Sequence, residues 1–285
     1  MSFRKAGEIL NLTQPAVSAQ IKSLEDEFGT VLVDRNQPVT LTDSGKVFLE
    51  HAFRVLQTIE DLKQRLADME NTPQGNISVG TTASIAVQIL PRVLSYFQNQ
   101  YPLIKPAIHS MTSSQILNAV ENGSVDIGIA YLFDKSSSVE TSVLYYDTFE
   151  LVVSPQHPLA EIGHATKEDL ANLSLILMTP GTAVRRFTDK MFKKLDITPN
   201  VVMELSSGEE VKRVVELNLG AAVIAKNSVA TELRRGTLKM VTLDEIETDQ
   251  PVVVMYKSGR YLSSAMQQFM NDLKGMPQTH FLGSE

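Results

Sequence analysis

The feature that most restricts the fold is an apolar stripe of strict spacing in residues 48–69. Phe48, Ala52, Val55, Ile59, Leu62, Leu66 and Met69 follow one another at alternating intervals of four and three residues. A helix turns once in about 3.6 residues, so such a repeat keeps facing one neighbour only when two helices supercoil. Glu60, Asp61, Lys63 and Arg65 flank the stripe and keep it narrow. The segment reads as a long helix, capped by Thr42, that pairs with the same helix of a second copy to make a homodimer. Asn71-Thr72-Pro73-Gln74-Gly75 ends it and reads as a hinge.

Ahead of the stripe, two short helical patterns flank Asn11 and Leu12. Ala6, Ile9 and Leu10 mark the buried side of the first, and Val17, Ile21, Leu24 and Phe28 that of the second. Thr13 is a suitable N-cap, and Pro15 falls in the first turn, where its missing N–H costs nothing. Gln14, Ser18 and Lys22 share one exposed face. An amide and a hydroxyl can read base edges in a major groove and a lysine can meet phosphate, although the same spacing also suits a plain solvated face. Val31 to Val33 and Pro38 to Leu41 read as short strands around Arg35-Asn36-Gln37, a wing after a recognition helix, which favours the DNA reading. Charge does not announce it, since residues 1–48 hold five basic and six acidic side chains.

Beyond Gly75 the pattern alternates strand and helix. It predicts strands near 76–80, 105–110, 125–131, 149–154, 174–178, 200–204, 221–225 and 251–257. Helices fit at 85–100, 114–122, 183–195, 208–218, 226–234 and 261–274. An α/β architecture with a parallel sheet follows. Leu151-Val152-Val153 and Val252-Val253-Val254 look like strands carrying the chain between two lobes.

A chain of 285 residues exceeds one ordinary core. No apolar run approaches the ~18 residues of a membrane span, and the start lacks a secretory leader, so the expectation is a cytoplasmic protein with no membrane partner. Cysteine is absent, which removes disulfides and thiolate chemistry. The histidines at 51, 109, 157, 164 and 280 are scattered, so neither a metal nor a cofactor is expected. The net charge of −7 means that any DNA-binding surface must be local.

Several stretches carry a family pattern at fixed spacing: Ser2-Phe3-Arg4-Lys5-Ala6-Gly7-Glu8, Leu12-Thr13-Gln14-Pro15-Ala16-Val17-Ser18-Ala19-Gln20-Ile21, Leu24-Glu25 and Leu41-Thr42-Asp43-Ser44-Gly45. Leu90-Pro91, the run from Gly123 to Gly128, Ser154 to Leu159, and Asn218-Leu219-Gly220-Ala221-Ala222-Val223-Ile224 agree with it. Over essentially its whole length the chain resembles the LysR-type transcriptional regulators. The resemblance implies a winged helix-turn-helix (all-α with a small wing) plus an α/β two-lobed effector domain resembling type 2 periplasmic binding proteins. On that pattern residues 1–42 bind promoter DNA, 43–71 form the dimerising linker helix, and 76–285 bind an effector. Lobe I would take about 76–152 and 257–276, and lobe II about 153–256. Members commonly assemble as homotetramers.

Carried onto this sequence, Gln14, Pro15 and Ser18 face the groove, Thr13 lies beside the phosphate backbone, and Arg35 sits on the wing, with Lys22 on the same helix. Members often have arginine where this chain has Ala19, which shifts weight to Lys22 or Gln20. The family also places a helix ahead of the helix-turn-helix. This chain starts directly at the second, so it reads as an N-terminally truncated copy lacking the first helix, with Ala6, Val17 and Ile21 uncovered.

Independently of any family, four predicted helices begin with small hydroxyl residues: Thr81-Thr82-Ala83-Ser84, Thr112-Ser113-Ser114, Gly181-Thr182 and Ser206-Ser207. Each alone is explained as an N-cap. Gathered outside the carboxyl ends of the strands, they would form an anion site. The effector-binding candidates are therefore Thr81, Thr82, Ser84, Thr112, Ser113, Thr182, Ser206 and Ser207. Arg185 and Arg186 either add charge to this cleft or lie on the surface; Asp126 reads as fixing a strand-end turn and His157 as a loop residue. The resulting expectation is a sequence-specific transcriptional regulator, not an enzyme, controlled by a small organic anion. The alternative is a solute-binding protein of the periplasmic type without regulatory role, which would not need residues 1–70. A serine hydrolase lacks its G-x-S-x-G elbow.

Overall fold

The computed structural model describes residues 2–36, 38–69, 74–134, 136–243 and 246–276. Gln37 of the expected wing tip and Asn71-Thr72-Pro73 of the expected hinge lie outside them. The chain divides into two compact units, Met1–Leu62 and Lys63–Glu285.

The first unit opens with α1 (Phe3–Leu10) and α2 (Gln14–Phe28). Ser2 caps α1, its hydroxyl accepting from the Lys5 N–H at 3.3 Å, and Asn11 ends it in the left-handed conformation at φ 54°. Gly7 makes the tight turn possible, because a Cβ there would lie 2.6 Å from the Leu12 carbonyl oxygen. Thr13 caps α2, Pro15 sits in its first turn, and Gly29 stops it at φ 65°. The wing is β1 (Val33–Asp34) paired antiparallel with β2 (Thr40–Leu41). Glu25 ties it to α2 by accepting from the Leu32 and Val33 N–H groups at 2.9 and 3.1 Å.

Two expectations for this unit need correction. The chain is not a copy lacking its N-terminal helix: that helix is intact, capped at both ends and packed on α2. The predicted uncovering of Val17 does not occur, since it is 6% exposed on the helix against which α1 packs, and Ala6 and Ile21 are half-buried. Nor is the buried side of α1 formed by Ile9 and Leu10, which are exposed; Gly7 is the residue that goes inside.

The long helix is α3 (Asp43–Asp68). The Thr42 hydroxyl accepts from the Gly45 N–H at 2.9 Å and starts it. In the single chain Val55, Ile59, Leu62 and Leu66 are exposed along its length.

The second unit contains, in chain order, β3 (Gly75–Thr81), α4 (Ala83–Gln88), α5 (Leu90–Gln100), β4 (Ile104–Ser110), α6 (Ser113–Asn122), β5 (Ile127–Tyr131), β6 (Val139–Val153), α7 (Leu159–Ile162), β7 (His164–Ala165), α8 (Lys167–Asn172) and β8 (Ser174–Met178). It continues with α9 (Ala183–Leu195), β9 (Asn200–Leu205), α10 (Gly208–Glu216), β10 (Ala222–Ala225), a 3-10 turn (Lys226–Val229), α11 (Ala230–Arg235), β11 (Lys239–Leu243), β12 (Asp249–Lys257) and α12 (Ser264–Gly275). The main sheet runs β4-β3-β5-β12-β6-β11-β7, with β10 also paired to β6. Parallel β4, β3 and β5 form one lobe with α4, α5, α6 and α12. The other holds β10, β11, β7 and the parallel β8-β9 pair. Strand β6 belongs to both: residues 139–148 pair with β12, and 149–153 pair with β10 and β11.

Most predicted elements of this unit form, with three physical differences. The expected helix 85–100 is broken at Ile89, because Pro91 cannot donate to the turn before it. The strand expected at 149–154 starts ten residues earlier, since Glu140, Ser142 and Tyr146 interrupt an apolar reading while each still pairs with β12, whose register shifts once, between Val252 and Val253. The helix expected at 226–234 opens as a 3-10 turn before α11.

Candidate functional site

In the first unit Thr13, Gln14 and Pro15 are exposed at the start of α2, with Ser18 half-buried and Lys22 exposed farther along the same face. Arg35 is exposed on the wing, and its Nη2 donates to Glu25 Oε2 at 2.9 Å. Burial works against the Glu25 charge, but the two backbone donors and Arg35 outweigh it and hold this carboxyl below its usual range. Lys22 and Arg35 also border one open groove, whose walls carry Glu25, Asp26 and Asp34 as well. Positive charge here is local and partly neutralised.

In the second unit a cavity of about 420 Å³ lies between the lobes, within the ordinary range for small-molecule sites. Thr82 and Ser84 reach it from the start of α4, Thr112 and Ser113 from α6, Thr182 from α9, and Ser206 and Ser207 from α10. Thr81 does not line it; it is fully buried at the end of β3.

Much of the hydroxyl capacity is spent locally. Thr112 accepts from the Gln115 N–H at 3.4 Å, Thr182 from the Arg185 N–H at 3.2 Å, and Ser207 from the Glu209 N–H at 3.2 Å. Glu210 turns back on the Ser207 N–H at 3.1 Å, so the start of α10 already holds a carboxylate. Ser113 differs. It is 6% exposed, and its hydroxyl has no hydrogen-bond partner among the described residues.

No charged side chain is among the described residues lining this cavity. Arg185 is engaged elsewhere, with Asp189 at 2.8 Å, Glu204 and the Met178 carbonyl. Arg186 pairs with Asp134 and lies over the Phe133 ring. Asp126 does hold a strand end, accepting from the Ser78 N–H at 2.6 Å and from Arg260, and His157 Nδ1 accepts from the Leu159 N–H at 3.2 Å within its loop.

Sequence reasoning missed Tyr131, Met111, Met178 and Ser228 on the cavity wall. Tyr131 closes β5 at its carboxyl end, a position where ligands of α/β sheets gather, and that signal was available. It also missed Asp147. This carboxyl is 2% exposed in the middle of β6 and accepts from the Tyr131 hydroxyl at 2.8 Å and the Thr148 N–H at 2.9 Å. Burial pushes its pKa up to about 6, against the hydrogen bonds from Tyr131, Thr148 and Asn227. A charged residue at an inward-facing position between Tyr145 and Phe149 was the available sign.

Known proteins match both units. Residues 1–46 match the family of bacterial regulatory helix-turn-helix proteins of the lysR type, and residues 70–277 match the LysR substrate binding domain. A "Probable RuBisCO transcriptional regulator" from Phaeodactylum tricornutum is 30% identical over 280 residues, 96% of this chain and 91% of its own. The regulatory domain of CcmR from Synechocystis PCC6803, solved in complex with 2-PG, shares the fold with a TM-score of 0.66 at 21% identity, over 70% of this chain and 96% of that one. Full-length CbnR, solved with its target DNA, does so with a TM-score of 0.67 at 18% identity, over 96% and 93%. With a winged helix-turn-helix, a two-lobed α/β domain of the type 2 periplasmic-binding kind and these matches over nearly its full length, the chain belongs to the LysR family of DNA-binding transcription regulators.

Proposed function

We propose that this regulator controls transcription by binding a small organic anion in the cavity between its lobes. The observation that carries the reading is the buried, unpartnered Ser113 hydroxyl on a cavity wall where the starts of α6, α9 and α10 converge. Helix starts favour negative charge, and a hydroxyl without a partner is an open donor. The 2-PG bound by the Synechocystis domain is of the same ligand class. Lobe closure around the anion would favour one arrangement of the DNA-binding units through its higher affinity for that state.

In the same reading Gln14 and Ser18 read base edges, Pro15 packs in the groove, and Thr13, Lys22 and Arg35 meet phosphate. The exposed α3 stripe pairs two chains into a homodimer that assembles further as a tetramer, with 1–42, 43–71 and 76–285 as the working divisions. The protein acts in the cytoplasm; among the described residues no helix is long and apolar enough to cross a membrane.

A thermal-shift and calorimetric screen of carboxylate and phosphate metabolites against their neutral amides or esters tests the effector. Anions should bind to the full chain and be weakened at least tenfold by Ser113→Ala or Thr112→Val. Tight binding of a neutral or cationic compound, unaffected by both variants, would refute it.

A further inference from the structure

The cavity wall hides a carboxyl. Thr82 Oγ1 and Ser84 Oγ lie 3.2 Å apart on that wall, Tyr131 lines the same wall, and the Tyr131 hydroxyl donates to Asp147 Oδ2 at 2.8 Å. Tyr131 thus links the ligand space to a buried acid. The Tyr131 hydrogen therefore points away from the cavity, towards the carboxylate. In that direction Tyr131 offers the cavity lone pairs, which repel an anion.

One proton on Asp147 reverses this hydrogen bond. The acid then donates to the Tyr131 oxygen, and the Tyr131 hydrogen turns towards the ligand space that this residue lines. No bond between heavy atoms changes, and the single proton comes from solvent. We propose that Asp147 is the proton-binding residue of the effector cavity and that the cavity takes up its anion together with one proton. This rests on the anionic reading of the effector and deepens it. It also accounts for a cavity that holds an anion with no lysine or arginine among its described lining residues: the compensating charge arrives as the proton.

The surroundings of Asp147 allow it to titrate alone. Tyr131 from β5 and Tyr145 from its own strand are the titratable groups facing it, and burial together with the Asp147 charge holds both phenols far above neutrality. The 3-10 turn contributes Asn227, which lines the same small pocket as the carboxyl, and α4 contributes Ser84, Ile85 and Gln88. Strand β12 sets Gln250 opposite it. Burial has already brought the acid to about 6 in the empty protein, so a nearby anion need raise it only modestly for proton uptake to occur near neutrality.

The sign follows. Below about pH 6 Asp147 is protonated with or without ligand, and affinity is flat. Above it, each ligand bound draws in a proton, and the Kd rises by up to tenfold per pH unit until the pKa of the complex is passed.

The test is calorimetry on the full chain with sodium sulfate, a probe that does not titrate between pH 5.5 and 8.5, in buffers of different ionisation enthalpy. The expected result is saturable binding that weakens with rising pH and takes up a fraction of a proton that peaks between the pKa of the empty protein and that of the complex. Asp147→Asn, whose amide can donate permanently to Tyr131, should bind with the wild-type low-pH affinity at every pH and take up none. Tyr131→Phe keeps the acid but cuts the link, and should lose the low-pH gain in affinity. Saturable sulfate binding with no proton uptake, or uptake that survives Asp147→Asn, would overturn the inference and leave the anionic effector standing. Absence of saturable binding at any pH would overturn both.

Discussion

The carboxylate of Asp68, in the last turn of α3, accepts a 2.7 Å hydrogen bond from the Tyr261 hydroxyl just ahead of α12. It also accepts from the Ser264 N–H at 3.1 Å and from the Ser264 hydroxyl, and the Arg65 guanidinium lies 4.3 Å from the centre of the Tyr261 ring. One residue therefore caps the start of α12 from a different helix. Burial alone would raise the Asp68 pKa, but the Ser264 and Tyr261 hydrogen bonds prevail and hold it below the usual range. A depressed carboxyl stabilises the fold above its unfolded pKa and loses that contribution as pH falls through its folded one. Asp68→Ala should cost about 1–3 kcal/mol at pH 7 and progressively less below about pH 4, as read by urea unfolding.

Asp147 has the opposite sign. Its folded pKa, near 6, stands above the ordinary aspartate value of 3.8, so stability is full below about 4, falls as pH rises to about 6, and stays reduced beyond. Asp147→Asn should raise stability at pH 8 by roughly 1–3 kcal/mol and leave it nearly unchanged at pH 4. Equal unfolding midpoints for the two proteins at pH 8 would refute this.

Glycine at position 45 is demanded by close approach: a Cβ there would lie 1.9 Å from the Leu32 carbonyl oxygen. Gly45→Ala must push the start of α3 away from the wing, at a cost of about 2–4 kcal/mol. A circular-dichroism melt of residues 1–62 within the full chain should show the lower transition, whereas Gly29→Asn, at a helix end with nothing near its missing Cβ, should change it by well under half as much.

Glu25 ties the wing to α2. Glu25→Gln keeps an acceptor for the Leu32 and Val33 N–H groups but releases Arg35 from its ion pair. Operator affinity should hold or rise slightly for that variant, while Glu25→Ala strands two donors and should lower both stability and affinity. Gln14→Ala should instead relax preference at one base pair by about 1–3 kcal/mol. Competition binding with single-base operator variants separates the three.

Val55 and Leu62 are 60% and 56% exposed in the single chain. Replacing both with aspartate places charge in the proposed seam and should dissociate the assembly, each substitution costing several kcal/mol. Light scattering that finds the assembly unchanged would remove α3 from the interface.

The residues of α2 were legible because helix signals there are local: Thr13 caps, Pro15 opens, Gly29 closes, and Val17 marks the inside. The cavity hydroxyls were legible for the same reason, each sitting at a helix start. Ile9 and Leu10 were misjudged because apolar character does not say which residue a two-turn helix buries when a glycine can approach more closely. Asp147 was invisible for a different cause. Its role depends on Tyr131, Asn227 and Ser84, which come from three other elements, and nothing in its own neighbourhood along the chain states that they meet. Residues acting through remote partners are the ones a linear pattern leaves out.

Strand β6 runs unbroken for 15 residues through both lobes, with β12 bonded alongside for much of that length. A ladder of hydrogen bonds resists stretching and in-plane bending far more than it resists winding about its own axis. The connection between the lobes is thus a torsion bar rather than a door hinge, and it returns elastically once the load is removed. Ligand release should reset the regulator without refolding any segment, so the speed of resetting is set by how fast the small molecule leaves.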